Sequence, residues 1–166
     1  MKPELKPDEN TVDRVRRVDW FSKTGELFTN TISMPVVLAT GWPDVEWLCA
    51  EGKWEATILE ARNALTEHLD DRCCEEYQEW NNLAVIARDV VAEAVTPAVS
   101  SFIRSHDLSE NILNCVHWDI ANAIMEASYA RFRPPRFFLD LLNVYEAGHF
   151  PCGWQGEWPS GKLIVY

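Results

Sequence analysis

The sequence predicts a mainly α, single-domain helical bundle of about five or six helices that closes in a short C-terminal β-hairpin or flap. Three observations predict it. Apolar residues recur by threes and fours through residues 44–147, the period of a helix with a buried side. Glycine and proline fall between those runs rather than within them. After Gly148 the pattern changes to HFPCGWQGEWPSGKLIVY, where three glycines and two prolines punctuate short β-prone pieces. The 166 residues suit one domain spanning 1–166 with a core that needs no staples.

Residues 1–19 are charged and proline-containing and read as a loosely held arm. Thr24-Gly25 marks a turn, Pro35 bars a long helix, and 34–39 fits a short extended piece. Gly41-Trp42-Pro43 leads into a helix, with Pro43 in its first turn and Asp44 and Glu46 complementing the N-terminal dipole. A break near Gly52 separates it from KWEATILEARNALTEHL, where Trp54, Ile58, Ala61, Leu65 and Leu69 share one side. Asp70-Asp71 ends that run and starts the next, so the two helices are expected to be antiparallel neighbours.

The longest run, 73–95, carries two adjoining stripes. Cys73, Tyr77, Trp80, Ala84, Ala87, Val91 and Ala94 form one, and Leu83, Ile86 and Val90 the other. Two stripes need neighbours on two sides, which places this helix at the centre of the bundle. Thr96-Pro97 is either an N-cap followed by a first-turn proline or a kink in one long helix. Ser109 caps the next helix, with Leu113, Val116, Ile120, Ile124 and Ala127 inward. Pro134-Pro135 precedes a final helix with Phe138, Leu141, Leu142 and Tyr145 inward and Gly148 at its C′ position. Residues 148–166 form the hairpin or flap, expected to lay Phe150, Trp154, Trp158 and Leu163 on the helices, because an isolated hairpin is marginal in water.

Charge is the strongest functional signal. The net charge is −11, and it is concentrated: residues 1–43 are neutral, 44–93 carry −9, and 94–166 carry −2. A field of that sign disfavours nucleic acid and anionic membrane and speeds encounter with a basic protein partner. The acidic helix faces expected to meet it are Glu55, Glu60, Glu67, Asp70, Asp71, Glu75, Glu76 and Glu79. The competing reading is a solvated face that serves solubility alone.

No apolar run reaches the length of a membrane span, and the N-terminal stretch lacks the apolar region of a secretory signal. Five cysteines, an odd number set mostly in helices, suit reduced thiols in the cytoplasm. No cofactor or metal is expected. Cys115 and His117 are two apart on a helix and point to different faces, and His149-x-x-Cys152 has no second pair of zinc-ligand spacing. Glu146-x-x-His149 lacks the partner motifs of a di-iron bundle. No P-loop, Gly-x-Ser-x-Gly or dinucleotide fingerprint occurs, so catalysis is not the favoured reading.

A second reading places a ligand site or an enzyme centre at the tail. Cys152 with His149 would form a Cys–His pair, Arg131, Arg133 and Arg136 would hold an anion at a helix start, and Trp154 and Trp158 would form a stacking platform. Against it, the arginines have acidic partners within the same chain, and the tryptophans serve equally well as anchors of the hairpin. Eight tryptophans also leave self-association open, so monomer and homodimer are both allowed.

The tail, Gly148-His-Phe-Pro-Cys-Gly-Trp-Gln-Gly-Glu-Trp-Pro-Ser-Gly-Lys-Leu-Ile-Val-Tyr166, with Glu60-Ala-Arg-Asn-Ala-Leu-Thr66 and Tyr77-Gln-Glu-Trp-Asn81, resembles segments of small acidic bacterial cytoplasmic proteins. These are similar to the immunity proteins of polymorphic or contact-dependent toxin systems. The resemblance implies a non-catalytic inhibitor that binds and blocks a cognate toxin or effector, and it carries over no catalytic residue.

Overall fold

The computed structural model describes residues 6–23, 32–50, 52–67, 74–128 and 136–166, with 74–76 described in their backbone alone. Seven helices and three strands lie among them: α1 (Glu9–Arg16), β1 (Val36–Leu38), α2 (Trp42–Ala50), α3 (Lys53–Thr66), α4 (Cys74–Ala94), α5 (Thr96–Ser105), α6 (Asn111–Ser128), α7 (Phe137–Glu146), β2 (Pro151–Gln155) and β3 (Lys162–Val165). The fold is mainly helical with a small sheet near the C-terminus, as the periodicity predicts. None of the described helices is long and apolar enough to cross a membrane.

The centre of the bundle is α6 rather than α4. Ile112, Cys115, Val116, Ile120, Ala123, Ile124 and Met125 are buried around most of its circumference, and all six other helices pack on it. By contrast, α4 buries one stripe, Trp80, Leu83, Ala87 and Val91, continued by Val95. Tyr77 and Val85 stay 45% and 50% exposed, and Ile86 and Val90 are only half-buried. The second stripe is thus the margin of the first, and α4 needs a neighbour on one side only.

Residues 9–16, expected to belong to a loosely held arm, form a packed helix. The Asp8 carboxylate accepts from the Thr11 amide (3.0 Å) and hydroxyl (2.7 Å), and the Asp8 amide donates to Ser128 Oγ at 2.7 Å. Val12 and Val15 are buried, and Arg14 donates to Glu146 and Asn143 of α7. The aspartate cap and the Val12–Val15 spacing outweigh the polarity of the segment.

Between α4 and α5 the chain kinks without stopping. The Val95 amide donates to Val91 (2.9 Å) and the Val99 amide to Val95 (3.0 Å), while Pro97 sits in the first turn of α5, where it has no amide to miss. Thr96 does not cap, because its hydroxyl pairs with His117 Nε2 at 2.8 Å. Ser109 does: its hydroxyl accepts from the Asn111 amide at 3.2 Å. At the end of α7, Gly148 at φ +83° lets the His149 amide reach Val144 and the Gly148 amide reach Tyr145, a Schellman closure.

The hairpin becomes a three-stranded sheet of order β1-β3-β2. β2 and β3 are antiparallel, with a register irregularity between Pro151 and Gly153, and β1 adds in parallel to β3 with Val36 opposite Leu163. β2 rests on α2, α3 and α7, and Phe150, Cys152, Leu163 and Val165 are fully buried. The buried side chains form one contiguous core.

Candidate functional site

At the tail, the chemistry is sealed in. Cys152 is fully buried at the irregularity in β2, and its thiol donates to the Ile164 carbonyl at 3.5 Å. Burial pushes the thiol up, as do the nearby Asp44, Cys115 and Asp119, so a thiolate is disfavoured as well as inaccessible. Trp154 and Trp158 lean edge-on against Phe137, each with ring centroids 5.8 Å away, and are half-buried. They anchor the sheet on α7. His149 is half-buried, and Arg136 is exposed at the start of α7. Arg136 acts on Glu126, whose Oε2 accepts the Phe138 amide at 2.9 Å, so a carboxylate from α6 serves the N-terminus of α7. Burial nevertheless raises Glu126 to about 7, with the Phe138 amide and Arg136 pulling the other way. Arg131 and Arg133 lie outside the described residues.

Asp119 is a second buried acid. It receives the Tyr145 hydroxyl at 2.5 Å and the Trp54 indole N–H at 3.4 Å on one oxygen, while the other has no partner. Complete burial holds its carboxyl well above the usual range despite those two donors. The site joins α3, α6 and α7 through one side chain from each, and it faces no solvent. Cys115 lies beside Cys49, whose thiol together with burial pushes the Cys115 thiol up. Among the described residues no three His, Cys, Asp or Glu side chains gather as a metal site requires.

The acidic helices keep their charge outward. Glu55, Glu60 and Glu67 on and just after α3 are exposed, and Glu79 on α4 is half-buried. The ion pairs among the described residues are Arg14–Glu146, Arg16–Asp13 and Arg16–Glu93, and none engages those four carboxylates. Asp70 and Asp71, and the side chains of Glu75 and Glu76, lie outside the described residues. Instead of packing as simple neighbours, α3 and α4 flank α6 with a cleft between them.

That cleft holds about 620 Å³. Asn114, His117, Trp118, Ala121, Asn122 and Met125 of α6 make its floor, α4 contributes a wall that includes Asn81, Val85 and Arg88, and Arg62 of α3 stands across from it. Trp118 is 42% exposed, and the Arg62 guanidinium lies over its ring, 5.4 Å from the centroid. His117 is held toward its neutral form by burial and tied to Thr96. Asn122 is 2% exposed; its Nδ2 donates to the Trp118 carbonyl at 2.8 Å, which leaves Oδ1 buried without a partner.

None of these cleft residues stands out by sequence motif. The signal was a spacing: Asn114, Trp118 and Asn122 recur every four residues on α6, and Asn81, Val85 and Arg88 step by four and three on α4. Each row looks like an ordinary wet helix face until the other is set opposite it. No protein family, curated protein or solved structure matches the chain.

Proposed function

We propose that the chain is a non-catalytic recognition protein of the cytoplasm, an immunity-type inhibitor that covers a basic cleft of a toxin or effector with the acidic side of α3 and the start of α4. The observation that carries this reading is that Glu55, Glu60 and Glu67 are exposed and unclaimed by the described cations, in a region of net charge −9. Carboxylates that no described cation pairs keep their field for an external partner. The burial of Cys152, the one nucleophile the tail offered, weighs against an enzyme there, and the free thiols of Cys49, Cys115 and Cys152 suit a reducing compartment. In sequence, Asp70, Asp71, Glu75, Glu76 and Glu79 continue the acidic run.

The test is co-expression with toxin domains encoded beside it, followed by binding measured across a salt series. Affinity is expected to fall as salt rises, and Glu55→Lys/Glu60→Lys/Glu67→Lys is expected to weaken binding by about tenfold or more, chiefly by slowing association. A cognate toxin bound equally well by that variant, at any salt, would remove the electrostatic basis.

A further inference from the structure

We infer that the cleft between α4 and α6 is a binding site for a small planar anion: a heteroaromatic ring that carries an N–H donor and a carboxylate or phosphate. Three observations converge on that chemistry. The volume of about 620 Å³ is that of a small-molecule site rather than a packing defect. The two arginines that line it, Arg62 and Arg88, form no ion pair with a described carboxylate in a chain of net charge −11, where acids are abundant. Guanidinium groups left without an acid at a concave site favour an anion that comes from outside. Trp118 adds a large ring surface at the same place, which favours a ligand with a π-face.

Asn122 defines the remaining feature. Its amide cannot be turned over, because Nδ2 is committed to the Trp118 carbonyl. The acceptor Oδ1 is therefore the free atom of a side chain that lines the cleft, and a buried acceptor without a donor costs about 1–3 kcal/mol. A ring N–H removes that cost, whereas inorganic phosphate, although it keeps a P–OH near neutral pH, brings no ring to set beside Trp118. The site thus asks for a donor at its base, an aromatic ring beside Trp118, and negative charge near Arg62 and Arg88. His117, held neutral and bonded to Thr96, adds no charge of its own.

The experiment titrates the full chain with guanosine 5′-monophosphate, indole-3-carboxylate and inorganic phosphate. Calorimetry gives the affinity, and 15N-resolved NMR follows the Trp118 indole and Asn122 side-chain amide signals. At least one ring-bearing anion is expected to bind one to one and shift both signals, with phosphate alone about tenfold weaker or worse. Arg88→Ala, at an exposed position, is expected to weaken binding by about tenfold, and Arg88→Lys to recover part of it. Asn122→Ala is expected to narrow the gap between the ring-bearing anion and phosphate, its circular dichroism reporting that the fold is kept. Two outcomes overturn the inference: neither ring-bearing anion binds at millimolar concentration, or phosphate binds as well as both. Reversal of Glu60 and Glu67 alone should leave ligand affinity within about twofold, because neither lines the cleft or the hollow beside Arg62 and Trp118 and exposed surface charges are screened. Failure here and failure of the partner reading are therefore separable.

Discussion

Asp119 and Glu126 show what a single carboxyl does inside this bundle. Asp119 is the acceptor shared by Tyr145 and Trp54, and its complete burial disfavours the charged form. Asp119→Asn preserves an acceptor oxygen without charge and is expected to cost less than about 1.5 kcal/mol, whereas Asp119→Ala strands two buried donors and should cost about 3 kcal/mol. Urea denaturation of the two variants measures the difference, and equal losses would show that packing rather than hydrogen bonding dominates. Glu126 gives a pH signature. Its folded-state value of about 7 lies above its ordinary value of 4.5, so the folded protein holds this proton longer than the unfolded chain does. Stability from this group is complete below pH 4.5 and is lost as pH rises through 7, by about 3 kcal/mol in all. Glu126→Gln keeps the acceptor for Phe138 and is expected to match the wild type near pH 4.5 while exceeding it at pH 8 by about 2–3 kcal/mol. Chemical denaturation at the two pH values decides it. Neither acid was legible beforehand, because a lone Asp or Glu within an apolar helical run gives no sign of which neighbour will receive it.

The elements were read more easily than their arrangement. Helix starts at Trp42 and Lys53, the cap at Ser109 and the stop at Gly148 all follow local chemistry, and they stand where that chemistry puts them. What periodicity does not encode is how many sides of a helix will be covered. The run 112–126 interleaves Asn122, Asp119 and Glu126 with its apolar residues, so it reads as amphipathic; once those three are buried, it is the hub. The expectation for α4 failed the other way, since adjacent apolar residues there widened one stripe. Gly148 tests an element boundary directly. At φ +83° a side chain is strained, and an added Cβ would overlap Ser22 Oγ and the Lys23 amide, whose N–H donates to the Gly148 carbonyl at 2.8 Å. Gly148→Ala is expected to destabilise by about 2 kcal/mol or more, through both the left-handed conformation and the loss of that backbone approach. A thermal melt shifted by less than a degree or two would contradict it.

For the whole molecule, composition pointed to an outward field, and the geometry leaves Glu55, Glu60 and Glu67 exposed and outside the described ion pairs, while Glu93 is paired with Arg16. Glu55, Glu60 and Glu67 were identifiable because charge on a helix face survives folding unchanged. The cleft was not, because it is made by three helices whose relative placement no local pattern specifies. Arg62 and Arg88 are far apart in sequence and meet the same hollow only after α3 and α4 have both settled on α6. Charge reversal on α3 and charge removal at Arg88 therefore probe different scales of the same molecule, one written in composition and one in assembly.

β3 lies between β1 and β2 and supplies the hydrogen-bonding partner of both. A ribosome therefore releases Val36–Leu38 long before Leu163–Val165 exists, and every helix from α2 to α7 is made in the interval. Closing so long a loop is slow, and a strand awaiting its mate has open edges. The nascent chain must consequently keep β1 unmated until β3 emerges, so the sheet latches only after the helices between them have been made.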